Sequence, residues 1–174
     1  MPSSTLTPII TDAGLHAAFN ASNTGLAAEI THIALGDSAY APATNQLSLV
    51  HEVMRVAVAD GAAVSPTQIH LTALASGAQQ FWVKEVGFYL ADGTLFAVWS
   101  DPAQTLAYKA ANVDLLLAFD LALAAVPADS ITVQGTGQNL SLMMAGELAE
   151  LATANVRTMH RQIQLEQRLR DGGL

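Results

Sequence analysis

FWVKEVGFYLADGTLFAVWS, residues 81–100, contains both tryptophans of the chain and four of its eight other aromatic residues. Aromatic and β-branched side chains stand on either side of Ala91-Asp92-Gly93, and an Asp-Gly pair accepts the positive φ that a tight reversal needs. The stretch therefore predicts a β-hairpin whose side chains form the core of a small β-rich body. The residues assigned to this core hairpin, with its turn, are Trp82, Glu85, Gly87, Phe88, Asp92, Gly93, Phe96 and Trp99.

The length and composition predict one soluble domain with an appendage. With 174 residues, of which 51% are apolar, the chain can bury one sizeable core but hardly two. The apolar run at 115–126 is shorter than a bilayer span of about 20 residues and carries Asp120, so no membrane insertion is expected. The N-terminus lacks the basic start and apolar stretch of a secretory signal, so the product is expected to stay where it is made. The chain has no cysteine, which excludes disulfides and thiolate chemistry.

The charges divide unevenly along the chain. Residues 1–150 carry three basic residues against thirteen acidic ones, whereas residues 151–174 carry four arginines against two acidic residues. An acidic body cannot supply the surface that neutralises phosphates, and four arginines on one tail are a thin substitute, so nucleic-acid binding is not expected. The acidic excess is interpreted as a source of solubility, with an acidic docking face as the alternative.

Residue periodicity predicts an α+β fold that is mainly β, with one early helix. The helix is expected over residues 11–25, where apolar residues recur at helical spacing after a capping Thr11 or Asp12. Strands are expected within 27–37, 64–76, 108–126 and 130–135, while 47–60 suits either a strand or a helical turn. The β-rich body is assigned to residues 1–135 and a C-terminal helical segment to residues 136–174.

The C-terminal segment predicts one long, coiled-coil-like helix. From Leu140 the chain is rich in Ala, Glu, Gln, Arg and Leu, with neither proline nor glycine between 147 and 171, a composition that favours helix. Residues spaced by three and four form an apolar seam of about three heptads. The seam residues are Leu142, Ala145, Ala149, Ala152, Val156, Met159 and Ile163. The seam is interpreted as a surface for self-association, with an amphipathic helix that lies on its own domain as the alternative.

Beyond the seam, polar residues replace the apolar ones. Glu166 and Arg170 take the next seam positions, so the last turns are expected to become ordered against a partner. Arg161, Arg168 and Arg170 are predicted to contact acidic groups of that distal partner.

The sequence offers no common catalytic motif, and its five histidines are scattered along the chain, so no enzyme activity, metal site or cofactor is predicted. Lys84 and Glu85 point to opposite faces of a strand, so at least one of them is expected on the buried side, where it needs a partner. A hydrogen bond or ion pair that fixes the strand register, or a contact across a subunit interface, is favoured over a catalytic acid.

Two sequence blocks carry a resemblance to a known family. The first is Ile-Ala-Leu-Gly at 33–36 followed by Tyr40-x-Pro42, and the second is Glu-Val-Gly at 85–87 followed by Asp-Gly-Thr-Leu-Phe-Ala at 92–97. With the order of the other elements from about Ile9 to Val133, they resemble the phage tail-collar fibre family. Its N-terminal module joins the fibres of contractile-tailed phages and related bacteriocin particles to the baseplate. The resemblance implies a homotrimeric, non-enzymatic component of the virion tail, assembled in the host cytoplasm.

The resemblance also implies an adaptor role. In the family a long shaft and a receptor-binding tip follow the module, whereas here one predicted helix reaches Leu174. The chain is therefore expected to be a tail fibre or fibre adaptor that joins baseplate proteins to a separate distal fibre chain. The alternative is a carbohydrate-binding module that contacts host surface glycan through exposed Trp82 or Trp99, although aromatic residues on both strand faces argue against it. A small hydrolase carried on the tail is a third class, for which the sequence offers no nucleophile and base.

Overall fold

The computed structural model describes residues 5–23, 27–65, 67–123 and 131–136. All of them lie in the first of the two units into which the chain divides, Met1–Gln138. Within these ranges the chain forms one helix and eleven strands. They are β1 (Thr5–Leu6), β2 (Ile9–Ile10), α1 (Asp12–Asn23), β3 (Ala28–Gly36), β4 (Glu52–Ser65), β5 (Gln68–Ala75), β6 (Phe81–Val83), β7 (Glu85–Leu90), β8 (Leu95–Ser100), β9 (Ala107–Lys109), β10 (Leu115–Ala122) and β11 (Ile131–Val133). The body is therefore mainly β with one short helix, as predicted.

The predicted C-terminal helix, with its seam and its arginine cluster, lies outside the described residues. In the part of the chain that is described, no helix is long and apolar enough to cross a membrane.

The strands form a nearly continuous sheet in the order β1-β10-β5-β4-β3-β7-β8-β2, and β11 pairs with β3. The strands at the two ends of this order, β1 and β2, are separated in sequence only by Thr7 and Pro8, so the N-terminal segment connects both ends of the sheet. The 14-residue β4 pairs with β3 through its first half and with β5 through its second half. The sheet thus has two parts that share β4.

The core lies between these two parts. Phe88 on β7 contacts Phe119 on β10 edge to face, with ring centroids 5.7 Å apart, a geometry that aromatic pairs prefer. Strand β5 alternates half-buried and buried residues, as expected for a strand with one covered face. Strand β7 is buried at every position, because it lies between β3 and β8 and is covered on both faces.

Helix α1 begins at its cap and is tied there to β8. The Thr11 side chain accepts a hydrogen bond from Gly14 N at 2.9 Å and donates one to the carbonyl of Leu95. A Cβ on Gly14 would lie 2.3 Å from the Phe96 carbonyl oxygen, so the helix approaches β8 more closely than an alanine would allow. The predicted helix and its Thr11 cap are confirmed, and it ends at Asn23.

The predicted turn at 91–93 is confirmed. Gly93 has a φ of 86°, Leu90 N donates to Thr94 O at 2.9 Å, and Gly93 N donates to Leu90 O at 3.0 Å. Glycine adopts the left-handed backbone conformation of residue 93 without a steric penalty. The hairpin that this turn closes consists of β7 and β8.

The hairpin is shorter than the sequence predicted. Residues 81–83 form β6, which pairs with β9 in a separate two-stranded sheet. The pairing partner changes between Glu85 and Val83. Glu85 pairs with Ser100 at the end of β8; residues 101–106 then leave the sheet, and the chain returns at Ala107, which pairs with Val83. Leu106 N donates to Val83 O at 2.9 Å where the chain returns.

Several other sequence predictions can be compared with the strands. The segment 47–60, which suited a strand or a helical turn, becomes a strand from Glu52 onward. The strands predicted within 27–37, 64–76 and 130–135 are confirmed as β3, β5 and β11. The strand predicted over 108–126 is divided: residues 108 and 109 belong to β9, and β10 begins at Leu115.

Candidate functional site

A buried carboxylate holds the long loop between β3 and β4. Glu85 is fully buried at the start of β7. Its Oε1 accepts a hydrogen bond from His51 N at 2.8 Å, and its Oε2 accepts one from Val50 N at 2.9 Å. Oε2 also accepts the hydroxyl of Tyr40 at 2.8 Å. Because a charged acceptor strengthens each of these bonds, Glu85 fixes both ends of the loop, and we call this arrangement the Glu85 clamp.

Tyr40 connects the carboxylate to the middle of the loop. Its hydroxyl accepts a hydrogen bond from Gln46 Nε2 at 2.5 Å while it donates to Glu85. Burial, aided by the hydrogen bond and the charge of Glu85, raises the pKa of Tyr40 to about 12 against the opposing effect of Gln46. The phenol therefore stays protonated, and a donor to the carboxylate, throughout the ordinary pH range.

Gly36 leaves space for the Glu85 carboxylate, and Ser100 holds the main chain of Tyr40 beside it. A Cβ on Gly36 would lie 2.3 Å from Glu85 Oε1 and 2.3 Å from the carbonyl oxygen of His51, so only glycine fits beside the carboxylate. Ser100 Oγ accepts a hydrogen bond from Tyr40 N at 3.1 Å and lies 3.0 Å from Lys84 O, to which it can donate. The end of β3, the start of β7 and the end of β8 thus meet at one point.

A small buried apolar cluster includes Leu49 of the loop. It consists of Ala34, Leu49, Tyr89, Leu95 and Val98. The Arg55 guanidinium lies 3.7 Å from the centre of the Tyr89 ring and donates to both oxygens of Glu52, at 2.8 and 2.7 Å. The ring of Tyr89 is therefore held between apolar neighbours and a cation.

The clamped loop presents apolar side chains to solvent. Leu47 is 72% exposed and Val50 is 65% exposed. Val50 is fixed through its own main-chain N–H, which the clamp binds, and the neighbouring His51 side chain contacts Asp37 Oδ1 at 2.6 Å. An exposed apolar loop held in this way would lose little conformational entropy on contact with another protein.

The Glu85 carboxylate is fully buried and accepts hydrogen bonds at both oxygens. What the geometry shows of the clamp is that it holds the loop in place. In the described ranges no group of three or more histidine or acidic side chains could hold a metal ion.

A comparison with protein families decides the assignment. The family model described as phage tail-collar fibre protein, N-terminal, matches residues 3–142. The chain belongs to this family. It is therefore a structural protein of a phage tail fibre and a component of the virion tail. No curated protein and no solved structure matches the chain.

The two blocks that carried the resemblance to tail-collar fibre proteins meet in the Glu85 clamp. Gly36 and Tyr40 come from the first block and Glu85 from the second, and they are in direct contact. At least one of Lys84 and Glu85 was predicted to be buried with a partner, and Glu85 is the one that is fully buried. Its partners are two main-chain amides and a phenol at least 34 residues away, and no local pattern in the sequence signals them.

The other hairpin residues fall into separate places in the tail-collar fibre fold. Phe88 and Phe96 are fully buried, and Trp99 is partly buried against the same core. Gly87 lies beside the small apolar cluster, where a Cβ would be 3.0 Å from side-chain atoms of Leu49, Leu95 and Tyr89. Next to Gly87, the pairing of β7 with β8 shifts register between Phe88 and Tyr89.

The prediction that Trp82 belongs to the core of the tail-collar fibre body is wrong. Trp82 is 56% exposed. Its neighbours Phe81 and Val83 are buried, and because side chains alternate along a strand, Trp82 points outward from β6. The aromatic density of residues 81–100 therefore combines a core hairpin with one surface residue.

Proposed function

We propose that this tail-collar fibre protein is an adaptor. The body, residues 1–135, would attach to the baseplate, and the C-terminal segment, residues 136–174, would connect a homotrimer to a separate distal fibre chain. The single observation that carries the attachment half of the proposal is the rigid loop of the Glu85 clamp, with Leu47 and Val50 exposed at its surface. Its role is structural rather than enzymatic.

The charge division supports the two-ended arrangement. The body is acidic and the last 24 residues are basic on balance, so the two ends favour partners of different charge. Within the body Lys109 is buried, and Arg55 is bonded to Glu52. A baseplate partner would accordingly contact the loop through apolar groups, with a basic or neutral rim.

The attachment half is tested by placing a charge on the loop surface. In phage particles carrying Leu47→Asp together with Val50→Asp, we expect the chain to be missing from purified tails, because a carboxylate in an apolar contact loses its hydration without a partner. Val64→Asp is the matched control, since Val64 is also exposed, at 62%, but lies at the end of β4. Tails that retain the double variant at the level of the control would contradict attachment through the loop.

The distal half is tested by truncation. Deletion of residues 160–174 removes Arg161, Ile163, Arg168 and Arg170. We expect such particles to retain the shortened chain in the tail and to lack distal fibres in electron micrographs. If they keep their fibres and adsorb normally, the C-terminal segment is not the coupling element.

Light scattering on the purified full chain is expected to give the mass of three copies, and a concentration-independent monomer would contradict the homotrimer.

A further inference from the structure

The β6–β9 ribbon carries two aromatic side chains on its outer face. Trp82 and Tyr108 are direct partners across the ribbon, with ring centroids 4.7 Å apart and ring planes inclined by 48°. Trp82 is 56% exposed and Tyr108 is 44% exposed. The rings are not stacked face to face, so part of their faces remains available to a ligand.

The ribbon beneath these rings is firmly fixed. Phe81, Val83 and Lys109 are buried on its inner face. The Lys109 Nζ donates to Gly77 O at 2.9 Å and to Ala110 O at 2.7 Å, which connects the loops before β6 and after β9. Lys84 N, directly after β6, donates to Gly36 O at 2.9 Å. The two rings are thus held in place before any ligand arrives, which lowers the entropy lost on binding.

We propose that Trp82 and Tyr108 form a binding site for a neutral sugar. The negative faces of the rings attract the polarised C–H groups on one side of a pyranose. This site is distinct from the Glu85 clamp and does not depend on the attachment role proposed above. It would let the chain contact a glycan directly while the loop is bound to another protein.

The size of the exposed surface favours a small ligand over a protein. An aromatic side chain has about 150–250 Å² of surface, so these exposed fractions leave roughly 200 Å² for the pair. A stable protein interface buries about 800 Å² on each partner. The pair is therefore too small to be a subunit interface by itself, and its area matches one or two sugar rings.

The charges of the body favour a neutral sugar over an anionic one. Residues 1–135 carry eleven acidic residues and three basic ones. Lys109 is turned inward, and Arg55 is bonded to Glu52. Lys84 is the one remaining cation of the body, and a single cation within an acidic body does not offset the repulsion of an anionic glycan.

The site is tested with the purified full chain on an array of neutral hexose and hexosamine oligosaccharides, with sialylated and sulfated ones alongside. We expect signal on neutral glycans only. Fluorescence titration with the best neutral oligosaccharide then gives an affinity, and the Trp99→Phe variant leaves Trp82 as the sole tryptophan reporter. That variant is expected to bind as the unaltered chain does and to show a change in emission on binding.

Matched variants test whether the aromatic rings themselves or the Tyr108 hydroxyl bind the sugar. Trp82→Ala and Tyr108→Ala are expected to weaken binding at least tenfold, whereas Tyr108→Phe keeps the ring and is expected to bind within about threefold of the unaltered chain. Absence of signal on every neutral glycan, or binding unchanged by Trp82→Ala, would overturn the proposal. So would a lower oligomer mass for Trp82→Ala in light scattering, which would assign the rings to a subunit contact. Tighter binding of a proline-rich peptide at the same rings would also overturn it.

Discussion

Replacement of Glu85 by glutamine tests the clamp with the smallest change in shape. If the amide oxygen takes the place of Oε2, it still accepts Val50 N and the Tyr40 hydroxyl. The amide NH₂ then faces His51 N, which donates to Oε1 in the unaltered chain at 2.8 Å. The opposite orientation is worse, because the NH₂ would face both Val50 N and a phenol that already accepts Gln46.

The cost follows from this count of donors and acceptors. Leaving one donor unpaired costs about 1–3 kcal/mol, and the remaining bonds weaken because the acceptor is no longer charged. We therefore expect Glu85→Gln to lower the free energy of unfolding by about 2–3 kcal/mol. For a domain of this size each 1 kcal/mol shifts Tm by about 2–4 °C, so Tm should fall by about 4–12 °C.

The assay is thermal and urea unfolding of the purified chain, followed by near-UV circular dichroism, with limited proteolysis as a local readout. Glu52→Gln is the matched control. Like Glu85, Glu52 is a hydrogen-bond acceptor, and it pairs with Arg55 at 2.7 Å. Because the Glu52 side chain is 31% exposed, loss of its charge should lower the free energy of unfolding by less than about 1 kcal/mol. Glu85→Gln should also speed cleavage within residues 37–51, because the bond from His51 N is lost and the bonds from Val50 N and Tyr40 weaken at a neutral acceptor.

Two results would refute this reasoning. A Tm for Glu85→Gln equal to that of Glu52→Gln would mean that the charge of Glu85 contributes nothing to the fold. A lower Tm without faster cleavage between 37 and 51 would mean that Glu85 stabilises the body but does not hold the loop.

Three further predictions concern the body. Gly14→Ala should destabilise the chain by about 1–3 kcal/mol in urea unfolding, since the alanine Cβ would lie 2.3 Å from the Phe96 carbonyl oxygen. In an unconstrained helix the same change stabilises, so a gain in stability would contradict the close approach. Phe88→Ala should cost about 3–5 kcal/mol, because Phe88 is fully buried and contacts Phe119; an unchanged urea midpoint would contradict a core between the two parts of the sheet. The pKa of Tyr40 is raised to about 12 in the folded chain and is about 10 when unfolded, so its contribution to stability is complete below pH 10 and is lost as the pH rises towards 12. Unfolding at pH 9–11.5 should show a smaller decline for Tyr40→Phe than for the unaltered chain.

Much of the fold could be predicted from local patterns. The Thr11 cap, the Asp-Gly turn and the alternation within β5 each depend on neighbours in sequence. The ambiguity at 47–60 could not be resolved in this way, because Leu49 and Val53 suit a helical turn as well as a strand. The structure resolves it through tertiary contacts: Leu49 joins the apolar cluster around Tyr89, and β4 begins only at Glu52.

The surface position of Trp82 was beyond a pattern-based prediction for a different reason. Residues 81–90 read as one strand, and nothing in their composition marks where one pairing partner gives way to another. The change is set by residues 101–106, which leave the sheet and return opposite Val83. Burial of an aromatic residue depends on what covers its face, and in β6 the Trp82 ring lies against Tyr108 and remains 56% exposed.

The Glu85 clamp also explains why residues far apart in sequence act as one unit. Gly36 has no left-handed φ to account for its lack of a side chain; it is required because the Glu85 carboxylate and the His51 carbonyl occupy the space where a Cβ would lie. Glu85 is tolerated in the interior because Val50 N, His51 N and Tyr40 bind it. Those donors are in place because the loop folds back over the end of β3. Because each part depends on the others, we expect the loop geometry to be lost cooperatively, as the attachment surface proposed above would require.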